Sequence, residues 1–517
     1  MSRRWSNDRV YWVLSGAALG ALSANAWAAS IDWTNQSGDG NYNTALNWST
    51  AAVPSGADDA AFVNAAAGPA SISADIPVLR DIRFGDDNRT GSGVVNHSAG
   101  AANLNGWFRM GINTGSGGTY NLSGGTVDAG RYNIAESAGA TGTMTITGGT
   151  LHQRDVSDIT DGNQWNRIGQ DGVATFNLSN NGTVSFDSRT IMSGSPTAGA
   201  TVTQTGGVFE VRRGEFVIGD QQTATYNITG GTLRTLNPDN GNVDTSGHLT
   251  VGQWDNSNGT LNVGGTALVQ VAASLQLADG QISAPNAGTV TQTGGTVQVG
   301  INGGNLALAR LASGTATYNL SGGVLDLSGG NIVKGDGNAT FNMTGGELRN
   351  VGSFNFPFIQ AGGVFHAGAP NATSNTTITA PAGTTVAYSL GPTASLLIDL
   401  ATSAQPGTGL SDVLRVNGGT TTLSGNLILH ALGSIAPNTA YLILDADGTD
   451  PANLVGVFAN APQTIMADNG QMFSVNYHGG DGNAVVVTSL VPEPSMFFGA
   501  VGVALAGGLG LRRRRVR

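Results

Sequence analysis

Two groups of closely spaced aspartates are the side chains in this sequence that are best suited to chemistry. They are Asp155, Asp158 and Asp161, and Asp445, Asp447 and Asp450. Paired carboxyl groups can act as acid and base in glycoside hydrolysis, and several carboxylates together can bind Ca²⁺. Both groups lie in glycine-rich or polar stretches typical of loops, where acidic side chains are usually only solvated. With Trp165 and Asp171 nearby, the first group supports a polysaccharide lyase or hydrolase as one hypothesis.

Other catalytic and metal-binding patterns are not apparent in the sequence. The histidines are scattered without the spacing typical of metal ligands, at His97, His152, His248, His366, His430 and His478. No Gly-x-Ser-x-Gly, phosphate loop or Gly-x-Gly-x-x-Gly motif is found. The chain contains no cysteine, which excludes disulfides, thiol catalysis and Cys-ligated zinc. From sequence we therefore predict no catalytic residue, no cofactor and no metal ligand.

Composition narrows the class of protein further. The 517 residues carry a formal net charge of −11, which argues against nucleic acid as a partner because phosphate binding needs a basic surface. Only 11% of residues are charged, and glycine occurs 79 times. Because 40% of residues are apolar and alternate with Thr, Asn and Ser, the chain can still bury a core.

The amino end has the pattern of a secretory signal peptide. Arginines at positions 3, 4 and 9 precede an apolar segment at 10–22, which we expect to be helical. The small residues that a signal peptidase requires follow at Ala26, Ala28 and Ala29. Residues 1–28 are therefore predicted to direct export and to be removed.

The carboxyl end combines a Pro-Glu-Pro triplet, an apolar run and an arginine cluster. The triplet is Pro492, Glu493 and Pro494, and the cluster includes Arg512, Arg513, Arg514 and Arg515. As a helix, the apolar run at 496–511 would be about 24 Å long, slightly short of a membrane's hydrocarbon core. The arginines would stay on the cytoplasmic side.

This order of elements resembles the PEP-CTERM sorting tail of exported proteins in Gram-negative bacteria that make extracellular polysaccharide. The resemblance covers residues 491–517. It implies a partner, the membrane transpeptidase-like enzyme exosortase, which is thought to recognise and process such tails. It also implies a transient anchor in the inner membrane and a final location in the cell envelope, at the cell surface or in the extracellular matrix.

The middle of the chain consists of repeats about 24 residues long, with longer spacings where loops are inserted. Examples are GTYNLSGGTV (118–127), ATYNITGGTL (224–233) and ATYNLSGGVL (316–325). Within each copy, apolar and polar residues alternate as in a strand, and the Gly-Gly pair permits the positive φ of a tight corner. Repeats of this length are typical of solenoids. We predict an all-β fold built on a parallel β-helix, with a β-sandwich or propeller as the alternative.

Stacking of the repeats predicts three columns of side chains. One inward column holds Tyr120, Phe176, Tyr226, Tyr318 and Phe341. A neighbouring inward column holds Leu122, Ile146, Leu178, Ile228, Leu320 and Met343. An outward polar ladder holds Asn121, Asn177, Asn227, Asn262, Asn319 and Asn342. Gln204 and Gln292 fall in the second inward column, so either these coils shift register or the glutamines form hydrogen bonds inside.

The repeats at 101–370 resemble the passenger β-helices of autotransporter-like surface proteins. Residues 29–100 are expected to form a cap and the first coils, with Trp33 and Trp48 closing the end, although Trp33 could instead stack on a sugar. Residues 371–490 are expected to form a C-terminal β module, in which Asp481, Gly482 and Asn483 make a tight hairpin turn. The sorting tail follows at 491–517.

Three functions remain open at this point, the third being a surface protein that binds Ca²⁺ through its acidic side chains. The first is a structural or adhesive β-helical scaffold, exported and associated with extracellular polysaccharide or biofilm. It rests on the repeats, the sorting tail and an outward surface expected to be Thr, Asn and Ser. The second is a secreted polysaccharide lyase or hydrolase on the same scaffold.

Overall fold

The computed structural model describes residues 30–86, 88–154, 165–236, 247–254, 256–280, 284–446, 453–480 and 482–491. Over these ranges the fold is all-β, with two single-turn 3₁₀ helices at Ala45–Asn47 and Ala65–Ala67 and no α-helix. None of these described segments forms a helix with the length and hydropathy that a membrane span needs. The predicted signal peptide with Ala26, Ala28 and Ala29, and the tail from Pro492 onward, lie outside the described residues.

The strands form two long sheets whose members pair in parallel from one coil to the next. Each coil contributes three successive strands, which we call first, second and third row. This arrangement is consistent with a β-helix or solenoid.

The first and second rows belong to one sheet and meet at the Gly-Gly corners. First-row strands are Ala70–Ile72, Val94–His97, Thr119–Leu122, Thr141–Ile146, Val173–Leu178, Gly199–Gln204, Thr223–Ile228, Asn258–Val263, Thr420–Leu423 and Leu454–Gly456. Second-row strands are Ala101–Asn103, Thr126–Ala129, Thr150–Gln153, Thr183–Phe186, Val208–Val211, Thr232–Thr235, Leu268–Val271 and Asn426–Ala431. Longer strands run through both rows at Asn286–Val299, Gly314–Asp326, Asn338–Arg349, Phe358–His366 and Val386–Leu400.

The third row forms the other sheet. Its parallel strands are Ser30–Asp32, Asp59–Phe62, Asp81–Phe84, Trp107–Met110, Arg131–Ile134, Asn166–Ile168, Thr190–Met192, Phe216–Ile218, Leu249–Val251, Leu275–Leu277, Leu306–Leu308, Ile332–Lys334, Ser353–Phe354, Asn375–Thr379, Gly407–Thr408, Val413–Asn417 and Thr439–Ala446. The sheet ends in antiparallel strands at Thr464–Met466, Met472–Gly479 and Ala484–Ser489. Parallel pairing thus continues past residue 370, where we placed the start of a separate module.

The predicted inward columns are confirmed. The five aromatic rings of the first column are buried, and so are the aliphatic residues of the second. Register pairs Met144 with Phe176 and Tyr318 with Phe341, so successive coils place side chain upon side chain. The outward polar ladder is also present, and Asn262 Nδ2 donates to Asn227 Oδ1 of the preceding coil at 2.8 Å.

The two glutamines of the inward column both form hydrogen bonds inside, and at Gln292 the register also shifts, directly after it, between Gln292 and Thr293. Gln204 pairs with Leu178 before it and Ile228 after it in unbroken ladders. Its Nε2 donates to the carbonyl oxygens of Gly207 and Thr232 at 3.2 and 3.0 Å. The polar side chain is therefore accommodated by satisfying its amide at the corner.

The corners depend on the second glycine of each pair. Gly231 has φ +80°, and a Cβ there would lie 2.4 Å from the carbonyl oxygen of Gly207 in the preceding coil. A side chain at this position would meet both a strained backbone conformation and the adjacent coil.

Two buried tryptophans close the amino-terminal end of the stack. Trp33 and Trp48 are 2% and 1% exposed, with ring centroids 5.1 Å apart, and both pack on Phe62. Their indole nitrogens donate to the carbonyl oxygens of Gly68 and Tyr42. Because the Trp33 ring is covered, it does not offer a face on which a sugar could stack.

The last two strands of the third row form a hairpin at the predicted turn. Strands Met472–Gly479 and Ala484–Ser489 pair antiparallel, and the Gly482 N–H donates to the Gly479 carbonyl at 2.9 Å. Asp481 lies outside the described residues.

Candidate functional site

A column of alternating tryptophan and arginine side chains lines the outer side of the third row. Trp107 pairs with Arg131 of the next coil. Trp165 and Arg189 directly precede strands Asn166–Ile168 and Thr190–Met192, which pair with each other in turn. Because neighbouring strands lie about 4.8 Å apart, the four side chains follow one another coil by coil. We call Trp107, Arg131, Trp165 and Arg189 the basic-aromatic column.

Within this column each guanidinium lies against the preceding indole ring. The Arg131 guanidinium carbon is 4.5 Å from the centroid of Trp107, and that of Arg189 is 4.2 Å from Trp165. Each ring also has an arginine of its own strand nearby, Arg109 at 5.5 Å and Arg167 at 5.8 Å. Such cation–π contacts, each about 0.5–2 kcal/mol, hold the long side chains in fixed positions.

Strand alternation explains why these residues point outward. Tyr132 and Asn166, which directly follow Arg131 and Trp165 along the chain, are at most 1% exposed and face the interior. The residues on either side therefore face the other way. Trp107, Trp165 and Arg189 remain half-buried at the surface, whereas Arg131 is only 5% exposed.

Carboxylates flank the column and pair with its arginines. Glu136 forms a two-point ion pair with Arg109, with Nε to Oε2 at 2.8 Å. Arg189 Nε lies 3.2 Å from Glu215 Oε2, and its Nη2 lies 3.6 Å from Asp220 Oδ1. Gln253 Nε2 donates to both oxygens of Glu215 at 2.9 Å. Arginine and carboxylate charges are thus interleaved rather than separated.

Asp220 has an unusual environment among these acids. It is 2% exposed, and its Oδ1 has no hydrogen-bond partner. Burial raises the pKa of Asp220 to about 6, although the positive charge of Arg189 acts in the opposite direction. A carboxyl group that keeps its proton close to neutral pH can serve as a general acid.

The structure brings some of the residues suggested by sequence to this site. Trp165 belongs to the basic-aromatic column. Burial lowers the pKa of Arg167, and the negative charges of Asp171 and Asp220 oppose that effect, so Asp171 contributes to the local field. Asp155, Asp158 and Asp161 lie outside the described residues.

Asp445, the described member of the second aspartate group, is not part of this site. Asp445 pairs with Arg415 at 2.6 Å on strands Thr439–Ala446 and Val413–Asn417. Asp447 and Asp450 lie outside the described residues.

The expectation of an outward surface made only of Thr, Asn and Ser is wrong for the third row. It holds for the polar ladder of the first row, but the third row carries arginine, tryptophan and acids. The available signal was the recurrence of short segments such as WFRM (107–110), RYNI (131–134) and WNRI (165–168). Strands of three or four residues are too short for their alternation to be recognised with certainty.

A second polar cluster could hold a metal ion. His366, Asp399 and Asp412 converge in the interior, at most 5% of each side chain being exposed. Burial lowers the pKa of His366, but the two carboxylates outweigh burial and raise it to about 9. Sequence spacing gave no indication of this cluster because His366 lies one coil before Asp399 and Asp412, which are themselves 13 residues apart.

Comparison with known proteins does not place the chain in a family: no protein-family model matches it, and no curated protein matches it either. The function is therefore argued from the residues and their geometry.

Proposed function

We propose that the chain is an exported parallel β-helical scaffold, processed by an exosortase at its C-terminal tail and held in or on extracellular polysaccharide. The signal-peptide pattern at 1–28 and the order of elements at 491–517 support export and sorting. The long parallel sheets support a rod-like body. The side chains on the outer surface of this rod determine which ligands it can bind.

The observation that carries this proposal is the basic-aromatic column. Arginine guanidinium groups bind carboxylates in a planar, two-point geometry, and indole rings hold the arginines in place. The Trp–Arg unit recurs every two coils, a distance of about 9.6 Å. A polymer with regularly spaced carboxylates can therefore contact the half-buried Trp107, Trp165 and Arg189 across several coils, and the buried Arg131 adds positive charge beneath them, which favours acidic polysaccharide as the ligand.

Binding of the purified chain to the producer's own extracellular polysaccharide tests the proposal. In the variant Arg131→Gln/Arg189→Gln, we expect retention on the polymer to fall at least about tenfold, since the charge-assisted contact of Arg189 and the positive charge of Arg131 are both lost. Circular dichroism checks that this variant folds, because Arg131 is buried. The matched control is Arg349→Gln/Arg415→Gln, which changes net charge equally at arginines paired with Asp326 and Asp445. Equal retention of both variants would contradict the proposal.

A polysaccharide-cleaving enzyme is the second candidate function, and one observation favours it. Arg189 contacts both Glu215 and Asp220, and Asp220 is the acid with the raised pKa. In this reading Asp220 donates a proton and Glu215 acts as base or stabilises charge.

The two functions predict different products. Incubation of the chain with the polymer, followed by assay of reducing and unsaturated ends, should yield none if the chain is a scaffold. Release of such ends by the wild type, with loss in Asp220→Asn, would instead establish the enzyme.

A further inference from the structure

His366, Asp399 and Asp412 meet although they lie on three different strands or strand ends. His366 ends strand Phe358–His366, Asp399 lies near the end of Val386–Leu400, and Asp412 directly precedes Val413–Asn417. His366 Nε2 is 3.4 Å from Asp399 Oδ2 and 3.3 Å from Asp412 Oδ2. Stacking of coils, rather than a local motif, produces this convergence.

Hydrogen bonding between these side chains does not satisfy their polar atoms. Both His366 Nε2 and Asp399 Oδ2 are buried without a hydrogen-bond partner. A single N–H on Nε2 can point at only one of two oxygens placed at nearly equal distances. Because buried polar atoms are normally paired, two unpaired atoms only 3.4 Å apart indicate a missing partner that both could contact.

The distances match those between ligands of a tetrahedral ion. Zinc is bound by histidine nitrogen and carboxylate oxygen at about 2.0–2.1 Å, so two ligands at the tetrahedral angle lie about 3.3 Å apart. The observed separations of 3.3 and 3.4 Å agree with that edge. We propose that His366, Asp399 and Asp412 form a binding site for a divalent transition-metal ion, with Zn²⁺ as the preferred occupant and water as fourth ligand.

Surrounding contacts hold the two carboxylates in a ligating orientation. Asp399 Oδ1 lies 2.7 Å from His430 Nδ1, which leaves Oδ2 directed at His366. Asp412 Oδ1 accepts from the Ser374 N–H, and its Oδ2 accepts from the Asp399 N–H, both at 2.8 Å. Such outer contacts are typical of metal sites, where they fix ligand geometry.

Gly368 keeps space for Asp412 beside the site. A Cβ at this position would lie 2.1 Å from Asp412 Oδ1. Gly368 and Ser374 also line a depression at the surface together with Asn350 and Asn375. The ligands thus lie just beneath a surface from which an ion can enter.

A bound ion would tie the ends of strands Phe358–His366 and Val386–Leu400 to the start of Val413–Asn417, close to the carboxyl-terminal end of the coils. Because a ligand that binds only the folded chain stabilises it, the melting temperature should rise with metal concentration. This effect requires neither polysaccharide binding nor catalysis.

The test uses the full chain after chelator treatment and dialysis. With added Zn²⁺, we expect about one ion per chain after gel filtration and a higher melting temperature. Ca²⁺, which prefers six to eight oxygen ligands, should have no comparable effect. In the Co²⁺-substituted chain, intense visible d–d bands would report four-coordination.

Two variants complete the test. His366→Gln should lose the bound ion and the thermal shift, while circular dichroism checks that it folds. The matched control is His152→Gln, because His152 also lies between two carboxylates, Asp128 and Asp187, at 3.5 and 3.6 Å but is half-buried rather than fully buried. The control should bind Zn²⁺ as the wild type does. A wild-type chain without stoichiometric Zn²⁺, or a His366→Gln chain that keeps it, would overturn the proposal.

Discussion

The hydroxyl of Tyr226 donates a hydrogen bond to Oε1 of Gln204 in the preceding coil, at 2.7 Å. Both residues are fully buried. The same relation joins Tyr318 to Gln292 at 2.7 Å and Tyr388 to Gln360 at 3.0 Å. One coil before Tyr120, His97 takes the place of glutamine, and its Nδ1 lies 2.8 Å from the Tyr120 hydroxyl oxygen.

In the first inward column, phenylalanine replaces tyrosine where the preceding coil has an aliphatic side chain, rather than glutamine, in the second inward column. Phe176 follows Ile146, and Phe341 follows Leu320. Each buried tyrosine hydroxyl in this column therefore has a hydrogen-bond partner one coil earlier. The phenylalanine rings have no hydroxyl and need no such partner. Whether the column holds Tyr or Phe therefore depends on the side chain of the preceding coil in the second inward column.

This pairing predicts strong coupling between Gln204 and Tyr226. Gln204→Leu should destabilise the chain by about 1–3 kcal/mol because it leaves the Tyr226 hydroxyl buried without an acceptor. Adding Tyr226→Phe should recover part of that loss, as measured by urea unfolding. Combining Gln204→Leu with Tyr318→Phe, which belongs to another pair, should give additive losses. Additivity in the first pair as well would contradict the coupling.

The corner glycines should tolerate substitution according to what lies next to them. Gly231→Ala would place a Cβ 2.4 Å from a neighbouring backbone oxygen, so we expect a loss of at least about 3 kcal/mol. Gly470 has φ +85°, but a Cβ there would have no atom within 4 Å, so Gly470→Ala should lose only about 1–2 kcal/mol. Chemical denaturation compares the two. Equal losses would show that backbone strain alone sets the penalty.

Asp220 should make stability depend on pH. Its pKa in the folded chain is about 6, above the ordinary value of 3.8, so folding favours the protonated carboxyl. The resulting stabilisation is present below pH 4 and is lost as pH rises through about 6, a change of about 2–3 kcal/mol. The unfolding midpoint of Asp220→Asn should lack this pH-dependent loss of stability, whereas that of Asp445→Asn should retain it. A wild type whose stability rises over this range relative to Asp220→Asn would refute the assignment.

The sorting tail should act separately from the folded body. Deletion of residues 491–517 is expected to leave the protein exported but mislocalised, because the signal peptide stays intact and the exosortase recognition sequence is lost. Cell fractionation with mass measurement of both termini gives the readout. Unchanged fractionation of the truncated chain would count against the tail's proposed role.

The inward columns could be predicted because each repeat carries two independent signals, the alternation of apolar and polar residues and the Gly-Gly pair. Alternation fixes which residues of a first-row strand are buried, and the following Gly-Gly pair fixes the corner. Tyr226 and Ile228 could thus be assigned to the core from one repeat alone. The hydrogen bonding of Gln204 could not be predicted from one repeat. Its partner Tyr226 lies one coil later, and only the stacking of coils in register brings the two side chains together.

The candidate sites could be predicted only in part, and for a related reason. Trp165 was noticed as an isolated residue, but its contact with Arg189 arises between coils. His366 comes from one coil, and Asp399 and Asp412 come from the next, so the separation of His366 from the two aspartates reflects coil length rather than a ligand motif. In a solenoid, spacing along the chain therefore carries little information about which polar side chains meet.

The tyrosine–glutamine pairs also limit how the repeat array can change in copy number. Excision of the single coil that contains Gln204 would place Tyr226 directly after Leu178, and its hydroxyl would lose its acceptor at a cost of about 1–3 kcal/mol. Excision of a coil whose neighbours are both aliphatic at this position carries no such penalty. Recombination between repeats is therefore constrained to breakpoints that keep each donor with its acceptor, and the heritable unit at those corners is two coils rather than one.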